Sequence, residues 1–465
     1  MPDSNVPVEN PLGTQPVKSM IWKFAIPGII SQLVNSAHNI VDQIFVGWGI
    51  GEIGIAATNI TFPLSIITTA LSVLLGLGAV SRFSILLGKK NTEDARKTMG
   101  NSLTLLASSG IAVAIIAGVF LEPMLYAFGT TELILPYARS YARIISIGVP
   151  LGIFSTGMSY FIRADGNPNY SSIVLLSGAI FNIIFDPVFL FVFDMGISGI
   201  ALATILGQLL STLLALLYLL KRFKSVSLVS TDLRLQLKTI VGICSLGIAP
   251  FATHMLATVV QIVQMNTLRF YGALSVYGSE IPIAVTGALL KVIMVLLACV
   301  IGISLGCQPI YGFNYGAKKY DRVKETYKLA IRYGTTVSVI AFFVVQLFPL
   351  QILKIFGSEN PLFFEYGIKY IRIYLLMVFA NAVQPVSSTF FTSIGKAKLS
   401  FWAAVLRQGI LLIPLLLVLP VFWGIDGFLW AGPLSDIGAL VIVIFMAVRE
   451  VKTLTKLQTD SAGIS

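Results

Sequence analysis

The stretch Asn182-Ile-Ile-Phe-Asp186-Pro187 sits deep inside an apolar run that extends from Ser171 to Val192. A carboxylate in the middle of such a run is costly unless water or a partner reaches it. Asn182 and Asp186 are four residues apart, so a helix places both on one face. Pro187 follows at once and disturbs the backbone hydrogen bonding where the charge lies. The run is about as long as a helix needs to cross the hydrocarbon of a bilayer.

The rest of the chain is of the same kind. Of 465 residues, 56% are hydrophobic and 11% charged, whereas a soluble domain carries about 25% charged residues. The mean hydropathy is +0.87. The apolar runs are about twenty residues long and do not alternate, so they are helices rather than the roughly ten-residue strands of a membrane barrel. An all-α polytopic membrane protein is expected, with twelve transmembrane helices. They fall at 20–45, 54–80, 98–121, 138–160, 170–192 and 197–220, then at 241–267, 283–309, 327–350, 366–392, 399–421 and 427–448.

The net charge of +11 is unevenly placed. Lys89, Lys90, Arg96 and Lys97 follow the second run, and Lys221, Arg222, Lys224, Arg234 and Lys238 follow the sixth. Lys318, Lys319, Arg322 and Lys324 follow the eighth, and the chain ends with Arg449, Lys452 and Lys456. Alternate loops are poor in Lys and Arg, with Arg139 and Lys354 as isolated exceptions. By the positive-inside rule both termini are cytoplasmic. The basic surplus is therefore topological, and nucleic acid is not an expected partner.

Cys244, Cys299 and Cys307 show no CxxC spacing, and His38 and His254 are the two histidines, so neither a disulfide framework nor a zinc site is expected. Gly76-Leu-Gly78 is not followed by the Lys-Ser or Lys-Thr of a phosphate-binding loop. No serine elbow or His-Glu metal motif is visible either. Neither an enzyme nor a cofactor is expected.

The chain repeats itself. Gly78-Ala-Val-Ser-Arg-Phe-Ser-Ile-Leu-Leu-Gly88-Lys-Lys90 aligns with Gly306-Cys-Gln-Pro-Ile-Tyr-Gly-Phe-Asn-Tyr-Gly316-Ala-Lys318. At the same offset Gly196 and Gly199 fall on Gly424 and Gly427. One residue further along, Tyr141, Arg143 and Gly166 fall on Tyr370, Arg372 and Gly395. The expected organisation is a flexible tail over 1–17, a first six-helix lobe over 18–220, a cytoplasmic crossover over 221–240, a second lobe over 241–450 and a tail over 451–465. Parallel repeats of this kind are related by an axis along the membrane normal, and their interface is the natural place for a cavity.

Polar residues inside the runs are the candidate functional groups. His38, Asp42 and Gln43 lie in the first, with Pro27 upstream as a bending point beside Pro187. Asp42 is read either as an interfacial carboxylate or cap, or as a buried functional acid. Asp186 is read either as a partner of Arg163 or as a carboxylate that exchanges a proton or holds Na⁺ with help from Asn182. Thr204 is one residue off the small-residue stripe Gly199, Ala203, Gly207, and either bonds its own helix or faces Asp186. In the second half Gln264, Asn381 and Arg407 are candidate cavity groups, and Asp436 is an acid that Arg407 or Lys291 can neutralise.

Together, Asn39-Ile-Val-Asp42-Gln-Ile-Phe-Val-Gly47, Asn182-Ile-Ile-Phe-Asp186-Pro187, Gly199-Ile-Ala-Leu-Ala-Thr204, and Gln308-Pro309 followed by Gly312-Phe-Asn-Tyr-Gly316 resemble the multidrug and toxic compound extrusion family in its DinF-like or MepA-like bacterial branch. The resemblance runs from Trp22 to Glu450. It implies a V-shaped pair of pseudo-symmetric six-helix lobes in the bacterial cytoplasmic (inner) membrane. It implies export of bulky, often cationic and amphipathic drugs by H⁺ or Na⁺ antiport, with membrane lipids as neighbours and a monomer as the working unit. It assigns the ion-coupling site, including any Na⁺, to Asp42, Asn182, Asp186 and Thr204. The acids that one branch of the family carries in spans seven and ten are missing from 241–267 and 370–392, which favours coupling through the first lobe. The rival expectations are a lipid-linked glycan or lipid flippase of similar fold, an ion channel, and a non-transporting receptor.

Overall fold

The computed structural model describes residues 10–356 and 360–462. Helix α1 spans Val17–Ile50, α2 Ile53–Gly88, α3 Thr92–Val119, α4 Leu135–Ala164, α5 Pro168–Val192 and α6 Gly196–Lys221. The second half supplies α7 over Leu237–Ala273, α8 over Glu280–Gly316 and α9 over Tyr320–Leu347. Then follow α10, made of Pro361–Tyr374 and Val378–Ser393, α11 over Ala397–Trp423 and α12 over Ile425–Asp460.

Among the described residues ten helices are long and apolar enough to cross a membrane, or eleven with the two pieces of α10 counted as one span. Two expected spans therefore need correction. Helix α1 contains the expected run 20–45 but does not reach that apolar level. Gln32, Asn35, His38, Asn39, Asp42 and Gln43 all fall within it, so the helix is polar because of the groups singled out above. The run 366–392 is not one rod. It bends by 43° between Tyr374 and Val378, a break that an evenly apolar sequence does not announce.

The internal repeat is written into the backbone. Lys90 and Lys318 both take a positive φ of 59°, a conformation that costs a non-glycine residue energy. Gly166 and Gly395 have φ of 91° and 81°, and Gly196 and Gly424 have 58° and 57°. Corresponding helices thus end and restart through the same turn geometry.

Contacts between the halves lie toward the ends that carry the basic loops. Helix α1 packs on α8, and α2 packs on both α7 and α8. A Cβ at Gly247 would stand 1.9 Å from the Leu74 carbonyl oxygen, so only glycine permits the approach of α7 to α2. Gln308 Nε2 donates to Leu77 O at 3.3 Å and to Ser81 Oγ at 3.0 Å. Along α1 the buried residues run from Val17 to Ser31, and Val46 is the one beyond them. The α8 residues near Gly316 are likewise largely buried. Away from the basic loops both helices lose cover.

Of the tail expected over 1–17, residues 1–9 lie outside the described residues. The remainder is held. Pro11–Thr14 forms a helical turn, and Asn314 Nδ2, Lys319 Nζ and Arg322 Nη2 donate to the carbonyls of Leu12, Gly13 and Gln15. The crossover over 221–240 is strapped down in the same way. Asn101 on α3 donates to the carbonyls of Asp232 and Arg234 at 3.1 and 3.0 Å and accepts from Gln236 N at 2.7 Å. Arg96 pairs with the buried Asp232 at 2.8 Å. Asp165 caps the other end, accepting from Tyr218 Oη at 2.8 Å and Ser225 N at 2.7 Å.

Asn101→Ala removes all three of its contacts with the crossover and leaves buried backbone groups without partners. It is expected to cost about 2–4 kcal/mol and to lower the melting temperature of the detergent-purified protein. An unchanged melting temperature would show that the crossover is not held this way.

Candidate functional site

Asp186 is fully buried and Asn182 is 2% exposed, both on one face of α5. That face meets α6 because the small-residue stripe allows it. A Cβ at Gly207 would lie 2.6 Å from the Gly178 carbonyl oxygen, so the two helices approach to backbone contact. The approach sets Asn182 against Thr204, and Asn182 Nδ2 donates to Thr204 Oγ1 at 3.0 Å. Thr204 in turn donates to Ile200 O at 3.1 Å. Both sequence readings of Thr204 are therefore realised in part: it bonds its own helix, and it also holds the amide one turn before Asp186.

Helix α1 packs on α5 and brings in Asp42. The carboxyls of Asp42 and Asp186 lie within hydrogen-bonding reach of each other. Asp42 is half-buried and sits in the C-terminal part of α1. It does not act as a helix cap, since the helix continues to Ile50. Both oxygens of Asp186, Oδ1 of Asp42 and Oδ1 of Asn182 are buried without a protein donor. Two carboxylates are both acceptors, so they bond only when a proton lies between them. Left fully ionised in contact, they repel by about 4 kcal/mol at an effective dielectric of about 20. The arrangement asks for a proton or a small cation.

The expected alternative, Asp186 neutralised by Arg163, is not what forms. Arg163 is buried beside Tyr160, and its Nε and Nη1 have no partner. The charged neighbour of Asp186 is Asp42.

The other first-half candidates frame this centre. Gln43 Nε2 donates to Thr58 Oγ1 at 3.1 Å and ties α1 to α2. His38 does not bond Asp42, and its buried Nδ1 has no partner. Pro187 closes the regular part of α5, and a π-helical turn over Val188–Val192 follows it. Pro27 lies within α1, where its carbonyl accepts from Ser31 Oγ at 2.9 Å.

Tyr141 on α4 belongs to the site although the sequence marked it only through the repeat. It packs with Val46, Leu190 and Ile200 and lies close to both acids. A tyrosine in an apolar run is no anomaly, so the repeat was the one available signal.

In the second half Gln264 and Arg407 come together and Asn381 does not. Gln264 Nε2 donates to Tyr374 Oη at 2.6 Å. Tyr374 lies beside Arg407, whose Nε meets Asp436 Oδ1 at 2.5 Å. Arg407, rather than Lys291, is thus the partner of Asp436. Asn381 follows the break in α10 and stands apart from this cluster. Among the described residues no group of three or more His, Cys, Asp or Glu side chains could hold a metal ion.

The profile of the MatE family matches residues 27–188 and 250–418. The chain is 23% identical over 438 residues to the multidrug export protein MepA of Staphylococcus aureus (strain MRSA252), covering 93% of this chain and 95% of that protein. It is 24% identical over 394 residues to the probable multidrug resistance protein YoeA of Bacillus subtilis (strain 168), covering 82% and 83%. Among solved structures, the MATE multidrug transporter DinF-BH, solved in complex with a ligand, superposes with a TM-score of 0.87 at 31% identity, covering 94% of this chain and 96% of that one. An outward-facing MATE family transporter of the MOP superfamily superposes with a TM-score of 0.89 at 20% identity, covering 96% and 98%.

Thr204→Val keeps the side-chain shape but leaves Asn182 Nδ2 without its acceptor. It is expected to destabilise the protein by about 1–3 kcal/mol, read as a lower melting temperature, and Thr204→Ser should restore it. Equal stability of the valine variant would mean that the amide is not held by Thr204.

Proposed function

The chain belongs to the MatE family, and from that premise we propose a secondary active multidrug exporter that couples the inward movement of H⁺ to the outward movement of amphipathic, often cationic organic compounds. It is a transporter and not an enzyme. The observation that carries the coupling is the pair of carboxyls, Asp42 and Asp186, in contact inside the bundle with three of their oxygens unserved by any protein donor. Such a pair is stable with a proton between its members and unstable without one.

The organisation that goes with this reading is a V of two six-helix lobes, α1–α6 and α7–α12, with α1 counted as a span. Both termini are cytoplasmic, the membrane is the bacterial inner membrane, and the working unit is a monomer. The basic loops support this orientation. On it, the contacts of Gln308 and Gly247 close the lobes on the cytoplasmic side, and the uncovered outer stretches of α1 and α8 line a cleft open outward. Protons then reach Asp42 and Asp186 from outside. Their binding displaces drug or reshapes its cavity, and the emptied acids, exposed inward, favour the next drug. Pro27 and Pro187 are the bending points of the cycle.

Na⁺ is the second reading, favoured by one observation. Asn182 turns its Nδ2 to Thr204 and leaves Oδ1 free beside the acids, which adds a fourth unserved oxygen to the three carboxyl oxygens. A cation could use that oxygen and a proton would not need it. The flippase reading calls for free positive charge in the cleft to hold a pyrophosphate. Pairing of Arg407 with Asp436 weakens it.

The test is efflux of a lipophilic cationic dye from proteoliposomes, with H⁺ and Na⁺ gradients imposed separately. Asp42→Asn and Asp186→Asn are each expected to lower gradient-driven efflux at least about tenfold, which is about 1.4 kcal/mol or more of lost coupling, with the fold retained. Wild-type efflux by both variants would overturn the mechanism. A wild-type response to Na⁺ alone would replace H⁺ by Na⁺. Dye movement without either gradient would point to a channel.

A further inference from the structure

Arg139, the basic residue that breaks the charge rule outside the membrane's basic face, has a second arginine one turn below it. Arg139, Arg143 and Ile147 recur at four-residue spacing on one face of α4. That face forms one wall of a cavity of about 700 Å³. The opposite wall is the end of α3, with Gly118 and Val119, and the short helix Leu121–Ala127, with Glu122. None of these residues takes part in the site above.

The charges in the cavity do not balance. Arg139 Nη2 holds Glu122 Oε1 at 2.9 Å. Arg143 is exposed and has neither an ion pair nor a hydrogen bond to any side chain among the described residues. A guanidinium cannot shed its proton, so the cavity carries one uncompensated positive charge. It lies about 12 Å along α4 from Leu135, within the helix and not beyond its end.

The walls are apolar and face outward from the bundle. Val119 and Ile147 are each 68% exposed. A Cβ on Gly118 would meet nothing within 4 Å, so the groove beside it is open. In a helix that crosses a bilayer, exposed apolar surface of this kind meets acyl chains. A permanent cation there needs an anion from the same surroundings.

We propose that this cavity binds one anionic glycerophospholipid from the leaflet on the side away from the basic loops. The phosphodiester takes the fork of Arg143, whose paired N–H groups match two phosphate oxygens. An acyl chain lies along Gly118, Val119 and Ile147. The single surplus charge matches a lipid with a net charge of −1, such as phosphatidylglycerol, rather than one whose headgroup is neutral overall. Free phosphate would satisfy the arginine but leave the apolar walls uncovered.

Native mass spectrometry of the full chain in detergent, titrated with phosphatidylglycerol, tests this. One retained lipid is expected, and Arg143→Gln should weaken its retention about tenfold. Glu122→Gln, which frees Arg139, should strengthen it. Arg372→Gln, which removes the repeat counterpart of Arg143 from α10, should leave it unchanged. Equal retention by the Arg143 variant would overturn the proposal, as would equal retention of phosphatidylcholine. Displacement by millimolar inorganic phosphate would also overturn it, since the site would then be one for small anions. Drug export is not the readout, so failure here is distinct from failure of the transport reading.

Discussion

Asp186 is completely buried, and no protein donor reaches either of its oxygens. Its nearest charged neighbour is another acid. Folded proteins rarely leave a buried carboxyl so badly served, because an uncompensated charge in a low dielectric costs several kcal/mol. The cost is avoided if a proton or cation from outside occupies the pair. In the proposed coupling a mobile ion completes the pair, and that links the site to a gradient across the membrane. A structural ion pair with Arg163 is out of reach: Arg163 lies in the last turn of α4, whereas Asp186 lies about 27 Å along α5 from Pro168.

The scaffold holds the two acids on helices with different surroundings. Backbone contact between α5 and α6 at Gly178 and Gly207 fixes Asn182 and Thr204 rigidly. Asp42 comes from α1, whose C-terminal half has little cover. One acid thus belongs to a packed helix pair and the other to a helix that also contacts α8 of the second half. In the proposed cycle a change in the occupancy of the two acids acts on α1 and so on its contact with α8. In the second half Arg407 pairs with Asp436, which supports the proposal that the first-half acids are the exchanging pair.

What the sequence revealed and what it hid follow from the range of each interaction. Asp42, Asn182 and Asp186 stood out because polar groups at helical spacing in apolar runs are anomalous, Thr204 was assigned to them only through the family resemblance, and the structure places Thr204 against Asn182. The repeat was legible because tight turns need particular residues, and Lys90 and Lys318 turn out to share one backbone conformation. Tyr141 was hidden because tyrosine is ordinary in such a run. The break in α10 was hidden because Leu375 to Ala382 is nearly all apolar, with Asn381 the exception, and reads as a continuous span. The strap of Asn101 over Asp232 and Gln236 joins residues far apart in the chain, and no local pattern encodes it. His38 lies one turn before Asp42, yet its buried Nδ1 has no partner.

The central claim is that occupancy of the Asp42–Asp186 pair sets which way the cleft faces. Spin labels at positions 48 and 276, where Trp48 and Val276 are 75% and 79% exposed at the ends of α1 and α7 away from the basic loops, report the width of the proposed cleft by pulsed dipolar spectroscopy. The account predicts that the distance distribution shifts as H⁺ or Na⁺ concentration is changed, and that Asp186→Asn holds it fixed. An unmoved distribution in the wild type, or an undiminished shift in the variant, would contradict it.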